Sequence, residues 1–332
     1  MDFSHLLETL PGRYVTQAFI HSMVAAAIVE IAMKNWKVGS PSLRQKFLLA
    51  VIVLPIFSFP AYQSANPARG SVYFRMGALF DSARWLGLEI YGVVPVVAGL
   101  ILIFSLTALV FFFQELFPIV RHAFAARKSD FGGATVRAGD DPAIVSAIAK
   151  LPGEKPRVLV LEDEDCIIFS TTGKKAAVYV SSGLIEFLSE DQLRAALAHE
   201  FAHVARSRRP VLVTVFLLRA LMFFNPIALL VFRRSVQEDE KICDELAVSA
   251  TGEPRVLAET LRKLYLDPEV QDDGGRGQGP NAVGKMEDYS HRLNIESRIS
   301  RLENEGAESS DGGIFGLALA LLAIVAVNYF VV

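Results

Sequence analysis

Cysteine, histidine and net charge are all scarce in this chain. Two cysteines, Cys166 and Cys243, cannot build a disulfide framework and fit a reducing compartment. A net charge of −3 provides no basic excess for a nucleic-acid partner. Nor is a cleavable signal peptide expected. The first apolar run begins near Tyr14, carries Glu30 and lacks a small-residue cleavage site after it, so it reads as a retained anchor. What the 332 residues do have is hydrophobicity: 52% of them are apolar and the mean hydropathy is +0.36, more than an ordinary soluble chain carries.

A spanning helix needs ~20 largely apolar residues. Four segments qualify by composition. "YVTQAFIHSMVAAAIVEIAM" carries His21 and Glu30, whose natural place is the interior of a helix bundle. "FLLAVIVLPIFSFPAY" is short and broken by Pro55 and Pro60. "LEIYGVVPVVAGLILIFSLTALVFFF" is the clearest, and "GIFGLALALLAIVAVNYFVV" covers 313–332. The loop "KNWKVGSPSLRQK" has four basic residues and no acid, and "RHAFAARK" adds three more. This bias puts the N-terminus outside and everything from Arg121 onward on the cytoplasmic side.

Residues 1–120 thus read as a membrane domain of three helices, and 121–270 as a cytoplasmic domain. In the latter, "DDPAIVSAIAKL" reads as a short helix, while "RVLVLED" and "AAVYVSS" have β-branched strand character on either side of the turn-like "STTGKK". Ser189 and Gln192 form a capping box, so a helix should start there and run through "AALAHEFAHVA". Residues 271–312 open with the linker "QDDGGRGQGP" and continue into "NIESRISRLENE", where Ile295, Ile299 and Leu302 share one helical face.

On that capped helix His199 and His203 stand one turn apart and project from one face. Both can offer a ring nitrogen to one ion, and Glu200 is then placed to take a proton from a water held there. This is the physical reason for the His-Glu-x-x-His spacing and for preferring zinc, one per chain. With only six histidines, chance gives such a spacing about once in a hundred chains of this composition. A third ligand should be an acid or histidine on a later helix. His291 is one candidate, and "QEDEKICDELAV" supplies others, with Glu240 and Asp244 one turn apart. Spacing alone does not single out Glu240, and the acidic cluster also suits a solvated helix face.

The combination of "HEFAH", Asn225-Pro226 and a Glu240 followed by Cys243-Asp244 resembles the BlaR/MecR-type bacterial membrane metallopeptidases. It is also similar to the broader gluzincin clan that holds HtpX and the CAAX prenyl proteases. The match covers roughly the cytoplasmic half of the chain. It implies zinc ligation by His199, His203 and Glu240, with Glu200 as base and Asp244 supporting a ligand histidine. It further implies a substrate-binding sheet edge just before the His-Glu-x-x-His helix, here Val178, Tyr179, Val180 and Ser181 in "AAVYVSSG". "YSHRLNIESRISRL" resembles a downstream segment of HtpX-like enzymes, which makes His291 and Arg298 candidate catalytic contacts to the oxyanion or substrate. The prolines usual after that histidine are missing, and the spacing to the arginine is one residue longer. The penicillin-binding sensor domain of BlaR-like receptors is not expected, because the sequence stops at Val332.

One segment constrains the whole scheme. Residues 211–232 are apolar enough to span a bilayer, yet a single crossing would put Glu240 on the opposite side from His199. Arginines at both ends and the Asn225-Pro226 break instead suit a re-entrant or membrane-surface hairpin. The resulting expectation is a mainly α membrane protein with a small α+β, zincin-like (gluzincin) cytoplasmic catalytic domain. Its function is that of a zinc endopeptidase of the bacterial inner membrane, cutting a protein or peptide substrate at the cytoplasmic face. Its surroundings are the lipid bilayer, with a membrane partner or a second copy of the chain as an open alternative. Two other classes compete: a signalling or scaffolding protein with a structural or vestigial zinc site, and a transporter-like protein with a chance motif.

Overall fold

The computed structural model describes residues 9–90, 94–117, 136–138, 141–171, 176–207, 211–266, 282–304 and 313–332. The longer helices are α1 (Leu10–Asn35), α2 (Pro41–Ala65), α3 (Val96–Phe111), α4 (Pro142–Ala149), α5 (Ser182–Phe187), α6 (Glu190–Ser207), α7 (Val211–Leu221), α8 (Pro226–Thr251), α9 (Pro254–Tyr265), α10 (Ala282–Glu303) and α11 (Gly313–Tyr329). A four-stranded sheet contains β1 (Val136–Ala138), β2 (Arg157–Leu161), β3 (Ile168–Ser170) and β4 (Ala177–Ser181). Two compact units result. One holds Met1–Lys128, Val211–Glu238 and Ser309–Val332; the other holds Ser129–Pro210 and Asp239–Glu308. The apolar stretch 211–232 therefore packs with the N-terminal helices, although in sequence it lies inside 121–270.

In the first unit α1, α2, and α3 with its π-helical continuation to Leu116 are long and apolar enough to cross a membrane. α11 has 17 residues, about 25 Å at the α-helical rise, which is shorter than a hydrocarbon core of ~30 Å. Along α3 the exposed side chains include Leu102, Ile103, Leu106 and Leu109, an apolar face suited to lipid. α2 runs unbroken through Pro55 and Pro60, where the sequence suggests interruption. A reason is visible at the second proline. The Ile56 carbonyl, which Pro60 has no N–H to satisfy, accepts from the Tyr14 hydroxyl at 3.3 Å. α11 lies close on its neighbours, because Gly316 leaves room for Trp36; a Cβ there would fall 2.6 Å from the indole ring.

The Asn225-Pro226 break is a helix start. Asn225 Oδ1 accepts from the N–H groups of Ile227 (3.0 Å) and Ala228 (3.3 Å), and proline occupies the first position of α8, where no N–H is needed. Across the break the Phe216 and Phe232 rings meet at 6.2 Å between centroids. Arg219, in the middle of this apolar stretch, is buried. It pairs with Glu115 at 2.8 Å and lies 4.6 Å from the Phe111 ring centre.

In the second unit the sheet order is β1-β2-β4-β3, with β2 and β4 parallel and the outer pairs antiparallel. Val158, Val160, Val178 and Val180 share one hydrophobic core with Leu193 and Leu197 of α6, Leu257 and Leu261 of α9, and Ile295, Ile299 and Leu302 of α10. Ser189 and Gln192 cap α6 reciprocally, at 3.2 and 3.3 Å, as their spacing predicts. Gly183 brings the loop before β3 against the end of β4, since a Cβ would sit 2.0 Å from the Glu164 carbonyl oxygen. The linker at 271–280 and the centre of the "STTGKK" turn lie outside the described residues.

Candidate metal centre

α6 presents His199 and His203 from one face, and the second half of α8 presents Glu240 and Asp244. All four belong to the second unit. His199 is buried, while His203 and Glu240 are partly exposed. The Nε2 atoms of the two histidines stand 3.1 Å apart. Glu240 turns Oε2 to His199 Nε2 at 3.5 Å and Oε1 to His203 Nε2 at 3.4 Å. Zinc in tetrahedral N/O coordination separates neighbouring ligand atoms by about 3.3–3.6 Å, the edge of a tetrahedron with bonds of ~2.0–2.2 Å. The two Glu240–histidine separations fall in this range, and the Nε2–Nε2 separation of 3.1 Å is about 0.2 Å shorter.

Each imidazole has a different support on its other nitrogen. His199 Nδ1 lies 3.0 Å from Asp244 Oδ1, at ion-pair distance though off the in-plane hydrogen-bond direction. His203 Nδ1 lies 3.5 Å from the buried Cys243 sulfur. Burial alone lowers the pKa of His199, but Asp244 and Glu240 outweigh it and carry the group up to about 9. Burial and the neighbouring acids Asp239 and Glu240 push the Cys243 thiol in the same direction, so it stays protonated. His203, Asp239 and Cys243 make a second cluster with ligating atoms this close. There, however, the Asp239 carboxylate is already held by Arg206 at 2.9 Å.

Glu200 is half-buried and has no hydrogen-bond or ion-pair partner among the described residues. That distinguishes it from the neighbouring carboxylates Glu240 and Asp244, both of which are engaged.

Arg298 reaches this centre from α10 and is 4% exposed. Its Nε and Nη2 donate to the two oxygens of Asp244, each at 2.7 Å, and Nη1 donates to Glu240 Oε2 at 3.1 Å. A guanidinium held by two carboxylates clamps the ligand helix, and its Nη2 also stands 3.4 Å from His199 Nε2. Burial opposes its charge, but Asp244 and Glu240 override this and hold the group protonated. The same pairing keeps Asp244 and Glu240 ionised against their own desolvation. No sequence spacing signals this clamp: Arg298 and Asp244 are 54 positions apart. His291 falls within α10, but its side chain lies outside the described residues.

The strand expected to add a substrate chain lies inside the sheet. Val178, Tyr179 and Val180 are paired on both sides, with Val158–Val160 of β2 and with Ser170–Ile168 of β3, and Ser181 pairs with Leu161. β4 is internal. The open edges among the described residues belong to β1 and β3, and Phe169 of β3 stacks on Tyr179 with ring centroids 5.0 Å apart.

Residues 166–282 match the family model described as BlaR1 peptidase M56. Among similar proteins, Protease HtpX homolog 2 of Methanosarcina mazei is 28% identical across 49% of this chain and 70% of its own length. Protease HtpX homolog of Streptococcus pyogenes serotype M5 is 23% identical across 70% of this chain and 94% of its own. Over these stretches the chain is similar to BlaR1-type peptidases and to HtpX-type proteases. The family match contains both histidines, Glu200, Glu240 and Asp244, and it ends before Arg298. These matches and the three long apolar helices support a membrane protease whose substrate is protein and whose helices contact lipid.

Proposed function

We propose that this BlaR/HtpX-type protein is a zinc-dependent endopeptidase of the bacterial inner membrane that cuts a protein substrate at the cytoplasmic face, in regulatory or signalling proteolysis. The observation carrying the reading is the convergence of His199, His203 and Glu240 at 3.1–3.5 Å, with Glu200 next to His199 in sequence and unpaired among the described residues. These three side chains are the proposed ligands. When bound, zinc acidifies water and polarises the scissile carbonyl.

The chain's own residues supply the rest. Glu200 accepts the proton of the attacking water on its free carboxylate and returns it to the leaving nitrogen. Asp244 holds His199 in the tautomer with Nε2 toward the ion, a support that ligand histidines ordinarily have. Arg298 fixes Asp244 and Glu240 together and offsets their charge. An extended substrate segment has the edge of β3 available for pairing, in a zincin-like arrangement ahead of α6.

The cytoplasmic orientation rests on the basic residues around α1–α2 and after α3. The segment from α7 into α8 is proposed as a hairpin that enters and leaves on one face of the bilayer. Its reversal at Asn225-Pro226 and the Phe216–Phe232 contact support that reading. A Glu200 without a partner among the described residues also favours catalysis over a structural or vestigial zinc site, which has no use for a base there.

Glu200→Gln in the full chain tests the assignment. Zinc content should stay at one per chain, while cleavage of a co-expressed substrate found by comparative proteomics should fall by ~10²–10⁴. Undiminished cleavage by the zinc-loaded variant contradicts the mechanism.

A further inference from the structure

Away from the peptidase centre, the first unit contains a cavity of about 260 Å³ at the end of the bundle where α1 starts and α2 finishes. Its wall includes Arg13, Arg69 and Arg75, together with Val332; Asp81, the one acidic side chain in it, is taken by Arg75 at 2.9 Å. Arg69 is fully buried, and no carboxylate pairs with it among the described residues. Its charge is met by dipoles and ring faces alone: the carbonyl oxygens of Asn328, Tyr329 and Val331, the Gln17 side-chain oxygen, and the Tyr62 ring 5.0 Å away.

A buried cation without a counter-ion is costly, and it leaves an uncompensated positive field in the space beside it. Two further observations point the same way. Thr16, 1% exposed, lines the cavity with a hydroxyl that has no hydrogen-bond partner. The first turns of α1 and α3, through Leu10, Arg13 and Val97, also border it, and helix N-termini favour negative charge. The remaining wall mixes the apolar side chains of Phe59, Leu86 and Val97 with the polar ones of Gln63 and Ser82.

We propose that this cavity binds a small amphiphilic anion, a carboxylate or phosphate monoester with a short hydrocarbon tail. The head group lies between Arg13 and the Thr16 hydroxyl in the field of Arg69, and the tail lies against Phe59 and Val97. A volume near the low end of ligand pockets, ~300–1,000 Å³, restricts the occupant to a small molecule or the end of a larger one. Arg13 is exposed and replaceable, whereas Arg69 holds the end of α11 in place. The proposal is independent of the peptidase reading.

The test uses the full chain in phosphatidylcholine nanodiscs, titrated with octanoate, octyl phosphate and octanol while its thermal unfolding is followed. Octanoate and octyl phosphate should bind saturably and raise the unfolding midpoint, with octanol weaker by about tenfold or more. Arg13→Gln and Thr16→Val should each weaken octanoate by a similar factor without lowering the midpoint of the free protein. Repeating the titration in phosphatidylglycerol nanodiscs separates the sources: loss of octanoate affinity there assigns the anion to a lipid headgroup, and unchanged affinity assigns it to a soluble molecule. Octanol binding as tightly as octanoate, indifference of octanoate to both substitutions, or no saturable binding overturns the proposal.

Discussion

Arg298 and Arg69 are both buried guanidinium groups, and they are neutralised in opposite ways. In the peptidase unit Arg298 sits among carboxylates, bidentate to Asp244 and bonded to Glu240. In the helical unit Arg69 meets backbone carbonyls, an amide and tyrosine rings. The difference lies in where the opposite charge comes from. Around Arg298 the acids outnumber the arginine, so the cluster attracts a cation; around Arg69 the positive charge is left over. The two proposed sites are thus of opposite sign, and in each the arginine holds backbone or side chains in position.

The sharpest way to break this comparison is to remove each charge while keeping the volume. Arg298→Met leaves the buried Asp244 with His199 as its remaining ionic partner and should destabilise the metal-free protein by ~3–5 kcal/mol in denaturant unfolding. Arg69→Met removes a charge that had no ionic partner, and the same measurement should show a smaller loss, about 1–3 kcal/mol for the unsatisfied carbonyls. Equal losses would mean that the two arginines are held alike.

A second effect follows from His199, whose pKa rises from an ordinary 6.5 to about 9 through Asp244 and Glu240. A raised histidine stabilises the fold fully below its unfolded pKa and loses that contribution as pH climbs through the folded value. The metal-free protein should therefore lose up to about 3 kcal/mol between pH 6.5 and 9 relative to His199→Gln. Over the same window zinc should bind more tightly as pH rises, with release of one proton. A flat difference between wild type and variant would remove the acid pair as the cause. The smallest expected effect is that of Asp244→Asn, which keeps shape but weakens the hold on His199. Zinc affinity measured by chelator competition should fall ~10–100-fold.

Much of the second unit can be read from local pattern. The Ser189–Gln192 box starts α6, the β-branched runs become β2 and β4, and the shared face of Ile295, Ile299 and Leu302 goes into the core. The Asn-Pro pair can be read as a break, and its chemistry as a cap and first helical residue explains why the chain restarts there as α8. Three features could not be read this way, each for a physical reason. Three-residue β3 is too short to show alternation, so β4 looks like an edge when it is internal. The continuity of α2 through its prolines involves a hydroxyl 42 positions away on α1. The clamp of Arg298 on Asp244 joins distant helices by charge alone, where periodicity gives no sign.

The central claim is that the two histidines and Glu240 hold one zinc ion through nitrogen and oxygen only. X-ray absorption spectroscopy of the full chain loaded with stoichiometric zinc tests it directly. The account predicts a first shell of N/O scatterers at ~2.0–2.2 Å that Glu240→Ala diminishes. A sulfur scatterer at ~2.3 Å, which would move the ion to His203, Asp239 and Cys243, or a chain that retains no zinc, would contradict it.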